Sequence, residues 1–335
     1  MSNWGDLADK VLSGHEVILD EALSILQAPD DDILRIMDAA FKVRKHYFGK
    51  KVKLNMIIST KTGNCSENCG YCSQSINSTA PIESYSMMTR EQIIAGAKQA
   101  NNLQAGTYCI VASGRGPTNR ELDHITGAIK EIKESYSNMR ICACLGILRD
   151  GQAEKLKEAG VDRYNHNLNT SKSHHDNITT SHTYDHRVET VSKATSAGIS
   201  PCSGVIVGMK ERYEDVYEMG KALSELDVDS IPVNFLHAID GTALEGTDEL
   251  TPLYCLKVLA LFRFMNPTKE IRISGGREVN LRSLQPLGLF AANSIFIGDY
   301  LTTDGQEGNN DFKMLKDLGF EIDYDNAEDR EIVTQ

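Results

Sequence analysis

Three cysteines crowd into one short segment of the chain, Cys65-x-x-x-Cys69-x-x-Cys72. Three thiolates on one loop can bind three corners of a cubane iron–sulfur cluster and leave the fourth iron without a protein ligand. An open metal position is typical of a reactive site, whereas a structural site is closed by its own ligands. Gly70 lets the backbone turn tightly between the second and third cysteines. The spacing therefore predicts a cluster with one accessible iron.

A zinc site is the alternative interpretation of the same cysteines. Zinc usually takes paired C-x-x-C ligands, alone or with two histidines, and a fourth ligand is missing nearby in the sequence. The chain has 335 residues and eight cysteines, and disulfide frameworks are expected in small secreted domains rather than in chains of this length. Clustered thiols in a reducing compartment instead indicate metal binding or redox chemistry, and the spacing favours the iron–sulfur cluster.

Composition excludes several classes of partner. The formal net charge is −12, so phosphates would be repelled, and we expect no binding to nucleic acid or to an anionic membrane. No apolar run approaches the roughly 18 residues that a membrane-spanning helix needs. The segment Met1–Asp6 lacks a basic region followed by an apolar stretch, so we expect a cytoplasmic protein without a secretory signal.

From Lys51 onward, short apolar runs alternate with amphipathic helical stretches, which indicates parallel strands joined by helices. Eight such repeats match the roughly 250 residues of a closed (β/α)8 TIM-type barrel, and an open doubly wound sheet is the alternative. The eight predicted strands are Val52–Ser59, Thr107–Ala112, Ile141–Gly146, Arg163–Leu168, Ser200–Val207, Ser230–Leu236, Ile271–Gly275 and Ser294–Tyr300.

The remaining segments flank this barrel. Residues 1–50 are predicted to be a helical extension, with one helix capped by Ser13 and another beginning at the acidic run Asp30–Asp32. We expect the barrel to occupy residues 51–318. Residues 319–335 are acidic and polar and are predicted to be a frayed C-terminal tail.

Polar side chains on separate predicted strands share the barrel interior. Residues two apart on a strand lie on one face, so if Cys109 points inward, Cys142, Cys144, Cys202 and Arg272 can do so as well. Any one cysteine is better explained as a small buried hydrophobe, which is also our interpretation of Cys255 in a predicted helix. A set that converges on one axis makes a second metal centre about equally plausible, and a buried arginine needs an anionic partner such as a thiolate-bound cluster.

Asparagines mark the fourth and sixth strands. Asn165, Asn167 and Asn169 follow one another at two-residue spacing, and Asn234 lies two strands away. A single asparagine at a strand end is explained by turn chemistry. Because an amide side chain both donates and accepts, a group of them in register can pair in both directions with a ring such as a ureido group. The pattern favours ligand binding.

The cysteine motif, with Tyr71 just before its last cysteine, resembles the signature of the radical S-adenosylmethionine enzymes. The resemblance implies that the amino and carboxylate groups of S-adenosylmethionine bind the open iron of a [4Fe-4S] cluster. It also implies that one electron from the cluster cleaves the sulfonium to give a 5′-deoxyadenosyl radical. Further stretches resemble the sulfur-inserting members of this family: Thr107–Cys109, Ile141–Gly146, Tyr164–Asn167, Pro201–Gly204, Ile231–Asn234 and Ile271–Glu278.

This closer resemblance implies roles for individual residues. It implies a [2Fe-2S] cluster that donates sulfur, with Cys142 rather than Cys144 among its ligands, a choice that strand geometry alone leaves open. The implied ligands of this cluster are Cys109, Cys142, Cys202 and Arg272. The implied cofactor contacts are Tyr71, Asn167, Asn169 and Arg187, although at position 169 the family often has aspartate. The implied substrate contacts are Asn165, Asn167, Asn234, Thr302 and Thr303.

The resemblance also implies a reaction, in which dethiobiotin is converted to biotin. The radical would remove hydrogen from an unactivated carbon, sulfur would be inserted, and no side-chain acid or base is required for the abstraction. A homodimer and a small reductase such as a flavodoxin system are implied partners. The alternatives are another radical enzyme with an auxiliary cluster, such as a maturase, or a non-catalytic zinc or iron–sulfur module. A lipoyl synthase would show a second cysteine triad close in sequence, which is absent.

The histidines are discounted as metal ligands. His174, His175, His182 and His186 lack an H-E-x-x-H motif and are expected at the surface. His166 lies between two inward-facing asparagines, so strand alternation predicts that it points outward.

Overall fold

Parallel strands close into a barrel in the computed structural model, which describes residues 3–306 and 308–324. The first strand, β1 (Lys51–Lys61), pairs on one side with β2 (Thr107–Ala112). The strands that follow are β3 (Arg140–Cys144), β4 (Arg163–Asn165), β5 (Ser200–Cys202), β6 (Val205–Val207), β7 (Ser230–Phe235), β8 (Glu270–Ile273) and β9 (Ser294–Phe296). On its other side β1 pairs with β9, which closes the ring. Since β5 and β6 both pair with β7, they share one position, and the predicted eight-stranded barrel is confirmed.

Helices surround the barrel and connect its strands. They are α1 (Trp4–Leu12), α2 (Leu19–Leu26), α3 (Ile33–Phe48), α4 (Arg90–Asn102), α5 (Asn119–Ser135), α6 (Gln152–Glu158), α7 (His175–Ile178), α8 (Tyr184–Ser196), α9 (Tyr213–Glu225), α10 (Pro252–Met265), α11 (Arg277–Leu281), α12 (Gln285–Gly288) and α13 (Gly308–Asp317). Threonine caps begin several of them, and the Thr118 hydroxyl accepts from the Glu121 amide at 3.2 Å. Among the described residues, none of the helices is both long and apolar enough to cross a bilayer.

The N-terminal helices α1, α2 and α3 cover the outside of α10. As a result, every α10 residue from Cys255 to Phe264 is buried, including Cys255, as the sequence predicts. The prediction that Ser13 caps the start of a helix is wrong. Ser13 follows the end of α1, and α2 begins at Leu19. The acidic run Asp30–Asp32 does lead into a helix, as predicted, through one 3-10 turn before α3.

The prediction of a frayed tail is wrong for its first residues, which are structured. Phe320 is buried and packs edge-on against Phe41 and Phe290. A short strand β10 (Glu321–Ile322) then pairs with the start of β1. The apolar side chains at positions 320 and 322 explain why this part of the tail is structured, because removing their apolar surface from water is favourable. The remainder of the predicted tail, residues 325–335, lies outside the described residues.

Gly204 marks the bend between β5 and β6. A Cβ atom on Gly204 would lie 1.9 Å from the Pro232 carbonyl oxygen of β7, so only glycine allows the two backbones to approach this closely. The bend frees the Gly204 amide to donate to the Asn167 side-chain oxygen at 3.0 Å. The bend at Gly204 thereby positions the Asn167 side chain at the mouth of the barrel.

Substitution of Gly204 by alanine tests this close approach. Gly204→Ala is expected to lower the free energy of unfolding by about 1–3 kcal/mol, because the backbone of β7 must move to admit the methyl group. Gly5→Ala in α1 is the control, since its Cβ would meet only the Asn3 side chain at 3.3 Å and alanine favours the helix. Urea unfolding of both variants measures the difference, and equal stabilities would contradict the packing at Gly204.

Candidate active site

The cysteine loop leaves the carboxyl end of β1, at the mouth of the barrel where (β/α)8 enzymes place their active sites. Its two ends are tied together, because the Cys65 amide donates to the Gln74 carbonyl at 3.3 Å. The middle of the loop is docked on the segment after α7. There the Asn68 side-chain oxygen accepts from the amides of Thr180 and Ser181 at 3.0 and 3.1 Å.

The three thiols of this loop lie near one another at the mouth, and Cys69 is buried. Burial, with smaller contributions from neighbouring Cys69 and Cys65, raises the pKa of Cys72 to about 11. Burial also raises the pKa of Cys65. Such thiols stay protonated at neutral pH unless positive charge is brought to them. Iron supplies that charge, so the donor set fits a thiolate-ligated cluster.

Single-ion geometry is a separate question from cluster geometry. Within residues 3–306 and 308–324, no three His, Cys, Asp or Glu side chains converge closely enough to hold one metal ion. The ligands of an iron–sulfur cluster bind different irons and need not converge on one point.

Glu67, inside the cysteine loop, has partners that the sequence did not indicate. Its buried carboxylate accepts from the Ser181 hydroxyl at 2.7 Å, from Arg115 at 3.2 Å and from the Nδ1 atom of His182. Burial lowers the pKa of His182 to about 4, and the positive charge of Arg187 adds to this effect. The neutral imidazole therefore joins the cysteine loop to the segment that follows α7.

The expected surface positions of the histidines are partly wrong. His175 and His182 are buried, whereas His174 and His186 are partly exposed. His166 is also buried and lines the mouth instead of pointing outward. The strand β4 ends at Asn165, so the alternation of faces no longer applies one residue later.

The second group of cysteines lies deeper, within the barrel. Cys109 and Cys142 are register partners on β2 and β3, and the Cys142 thiol lies beside the thiols of both Cys109 and Cys202. The contact with Cys109, together with burial, raises the pKa of Cys142 well above its usual value, although the contact with Cys202 acts in the opposite direction. Cys144 pairs in register with Val111 and lines the cavity instead, where burial raises its pKa to about 12. The structure thus groups Cys142, not Cys144, with Cys109 and Cys202.

Arg272 lies beside these three thiols and is 1% exposed. Its pKa is raised, because the Glu270 carboxylate and the nearby cysteines outweigh the effect of burial. Two buried guanidinium groups, Arg163 and Arg272, share the buried carboxylate of Glu270, and the Lys53 ammonium group lies 3.9 Å from the same carboxylate. The positive charge left over needs an anion. An anionic, thiolate-ligated cluster held by Cys109, Cys142, Cys202 and Arg272 fits that requirement.

The asparagines connect the two levels. The Asn165 amide donates to the Asn167 oxygen at 3.1 Å and to the Cys202 sulfur at 3.2 Å. Asn234 donates to the Val205 carbonyl at 2.9 Å and accepts from the Gly275 amide at 3.0 Å. Each of these amides has further donor and acceptor capacity. Asn165, Asn167, Asn169 and Asn234 all line the same cavity.

Asn169 follows β4 in a left-handed backbone conformation with a φ of 70°, which asparagine tolerates better than most residues. With its amide oxygen turned towards them, it accepts from both terminal nitrogens of Arg187, at 3.1 and 3.2 Å, and from the Tyr71 hydroxyl at 2.5 Å. Arg187 also donates to the Asn167 carbonyl at 2.8 Å. Its buried Nε atom has no hydrogen-bond partner among the described residues, so the group retains capacity for a ligand.

A cavity of about 400 Å³ lies among the mouth residues just described. The loop after β9 forms another wall, where the Thr302 hydroxyl lies 3.0 Å from the Ser73 hydroxyl of the cysteine loop. The structure brings the predicted cofactor and substrate residues to this one cavity: Tyr71, Asn165, Asn167, Asn169, Arg187, Asn234, Thr302 and Thr303, together with Cys65, Cys69 and Cys72.

The comparisons with known proteins agree on one type of enzyme. Residues 59–223 match the model of the Radical SAM superfamily, and residues 232–321 match the Biotin and Thiamin Synthesis associated domain. The biotin synthase of Bacillus licheniformis is 69% identical over 323 residues, which cover 96% of this chain and 97% of that protein. The biotin synthase of Bacillus subtilis (strain 168) is 68% identical and covers 96% of each chain.

The fold is shared with more distant proteins as well. The crystal structure of methylornithine synthase superposes with a TM-score of 0.83 at 22% identity, covering 95% of this chain and 97% of that one.

Asn68 is the residue to change in order to test the docking of the cysteine loop. Asn68→Ala removes four hydrogen bonds to the segment after α7, at a cost of about 1–2 kcal/mol, because the groups are partly exposed. We expect the reconstituted variant to lose cubane iron to a chelator several-fold faster than the parent enzyme, as followed by absorbance. Asn77→Ala is the control, since Asn77 is exposed in the same loop. Equal rates in both variants would show that docking does not stabilise the loop.

Proposed function

The chain belongs to the biotin synthase family, and we propose that it converts dethiobiotin to biotin by radical-mediated sulfur insertion. The observation that carries this proposal is the arrangement of two separate thiol groups in one barrel, with Asn165 in contact with the deeper group and lining the cavity beside the other. A sulfur-inserting radical enzyme needs both a source of the radical and a source of sulfur within reach of one substrate.

Residues of the mouth would hold the first cluster and the cofactor. Cys65, Cys69 and Cys72 would bind a [4Fe-4S] cluster, and Arg187 would pair with the carboxylate of S-adenosylmethionine. Asn167 and Asn169 would contact its ribose, and Tyr71 would lie against the cofactor. When bound, these groups supply a 5′-deoxyadenosyl radical, and a [2Fe-2S] cluster on Cys109, Cys142, Cys202 and Arg272 supplies sulfur.

The substrate contacts follow from the remaining polar groups of the cavity. Asn165, Asn167 and Asn234 present both amide donors and amide acceptors, which matches the N–H and C=O groups of a ureido ring. Thr302 and Thr303, in the loop after β9, would donate hydroxyl hydrogens to the substrate carboxylate. These two ends would orient the substrate, so that its reacting carbons lie between the two clusters.

The chain contributes orientation and exclusion of water more than proton transfer. No side-chain acid or base is needed to abstract a hydrogen atom from carbon, so we assign no catalytic residue of that kind. The apolar side chains of Ile57, Val111 and Phe296 line the same cavity. They would keep water away from the reacting carbons.

We also propose the setting in which the enzyme works. All eight cysteines are free thiols, which suits the reducing cytoplasm. Membership of the family supports a homodimer and a small reductase such as a flavodoxin system as electron donor. Within the chain, we assign the chemistry to residues 51–318, with residues 1–50 as a helical cover and residues 319–335 as the C-terminal segment.

Anaerobic turnover with dethiobiotin, S-adenosylmethionine and a reductant tests the activity. The enzyme reconstituted with iron and sulfide should bind about six irons per chain and produce both deoxyadenosine and biotin. If neither product appeared from fully reconstituted enzyme, the substrate assignment would be wrong.

Two neighbouring cysteines provide a matched pair for the deeper cluster. Cys142→Ala should retain about four irons and give no biotin, because it removes a ligand of the [2Fe-2S] cluster only. Cys144→Ala should retain about six irons, because Cys144 lies outside the group of contacting thiols. Retention of six irons by Cys142→Ala would contradict the ligand assignment.

Arg187 allows a test of cofactor binding. Arg187→Met removes a charged partner of the cofactor carboxylate, which costs about 1.5–3 kcal/mol, so KM for S-adenosylmethionine should rise about tenfold or more. Arg120→Met, on an exposed position of α5, is the control for removing one positive charge. An unchanged KM in Arg187→Met would show that the carboxylate is bound elsewhere.

A further inference from the structure

Beneath the three deeper thiols lies a layer of buried polar side chains that the reaction itself does not use. At its centre is Glu270, which is 4% exposed and stands two residues before Arg272 on β8. Residues at this spacing share a face of the strand, so both side chains enter the barrel. A carboxylate is costly to bury unless its oxygens are satisfied.

Both oxygens of Glu270 are satisfied by cations. One accepts from Arg272 Nη2 at 2.5 Å and from the Ser230 hydroxyl at 3.1 Å. The other accepts from Arg163 Nη1 at 2.7 Å. The carboxylate is therefore held between two guanidinium groups, Arg163 and Arg272, which is the pairing that a buried carboxylate requires.

The guanidinium group of Arg272 is fixed on several sides. Its Nη2 atom also donates to the Ser230 hydroxyl at 3.1 Å, and its Nε atom donates to the Ser294 hydroxyl at 3.1 Å. The ring of Phe296 lies 5.0 Å from the central carbon of the group. Among the described residues, no hydrogen bond of Arg272 uses Nη1. Two of its three nitrogens are thus committed to the layer.

We propose that Glu270 is a positioning residue, which with Ser230 and Ser294 fixes the orientation of Arg272 towards the thiols of Cys109, Cys142 and Cys202. This inference rests on the proposed function, since it concerns the site assigned to the [2Fe-2S] cluster. The Glu270 carboxylate accepts a hydrogen bond from Nη2 of Arg272, and the Ser294 hydroxyl accepts one from Nε. Nη1 would then remain available to the cluster. Arg163 occupies the second carboxylate oxygen, which prevents Glu270 from turning away.

Two substitutions of Glu270 test whether both the charge and the reach of its carboxylate are needed. Glu270→Gln keeps the length of the side chain and removes the charge, whereas Glu270→Asp keeps the charge and shortens the reach. Positioning predicts that both variants alter the visible absorption spectrum of the [2Fe-2S] cluster. Both should also lose that cluster roughly tenfold faster under reductant, because a charge-assisted hydrogen bond is lost. The four irons of the cubane should remain in place in both.

The dependence on Arg272 is tested in a second background. If Glu270 acts through Arg272, adding Glu270→Asp to the Arg272→Met variant should cause no further change. Neither the absorption spectrum of the [2Fe-2S] cluster nor the rate at which the cluster is lost should differ between the single and the double variant. Asp311→Asn is the matched control, since Asp311 is another buried carboxylate that accepts from an arginine, Arg277, at 2.9 and 3.2 Å. Asp311→Asn should have a lower free energy of unfolding than the parent enzyme but the same absorption spectrum of the [2Fe-2S] cluster.

Each outcome decides the inference. The inference would be overturned if Glu270→Asp had the spectrum and the cluster retention of the parent enzyme. It would also be overturned if Glu270→Asp caused the same change in Arg272→Met as in the parent enzyme. Either result would leave the proposed function intact. A parent enzyme that binds only about four irons would instead remove the [2Fe-2S] cluster, and both proposals with it. Should the Glu270 variants fail to fold, Ser230→Ala and Ser294→Ala decide, because each removes one hydroxyl that accepts a hydrogen bond from Arg272. Unchanged spectra in both serine variants would then overturn the positioning role.

Discussion

The pairing of β1 with β9 closes the barrel, and the rest of the site depends on that closure. Once the ring is closed, side chains from strands far apart in sequence point at one axis, and their separations are fixed by strand spacing. Cys109, Cys142 and Cys202 come together in this way although 93 residues separate the first from the last. The cysteine loop leaves the same strand, β1, that completes the ring. The two thiol groups are therefore held in one rigid frame at different depths.

Electrostatics divides the interior into a lower and an upper part. Below the thiols, arginines outnumber the carboxylates, which favours thiolate ligands and an anionic cluster. Above them, neutral amides and two guanidinium groups line the cavity: Arg187, and Arg115, which is paired with Glu67. This upper part suits a neutral ureido ring and the carboxylate of a cofactor. The preorganised hydrogen bonds among Asn165, Asn167 and Gly204 hold these groups in place before any ligand arrives.

Much of this architecture could be predicted from sequence, because the strands of a parallel barrel are short apolar runs between helices. The ends of the strands could not be predicted. The break at Gly204 depends on the approach of Pro232 from β7, and the end of β4 at Asn165 decides the direction of His166. Strand alternation left Cys142 and Cys144 equivalent, and only the pairing register with β2 separates them. Glu270 gave no signal beyond its spacing from Arg272, since its other partners lie on β1, β4 and β7.

With both sites filled, one chain would hold two iron–sulfur clusters of different types, one at the mouth and one beneath it. Mössbauer spectroscopy of enzyme reconstituted with ⁵⁷Fe measures this directly, because it counts iron by environment. We expect two populations, with about two thirds of the iron in a [4Fe-4S] cluster and one third in a [2Fe-2S] cluster. A single cubane population, or iron bound only as isolated ions, would contradict it.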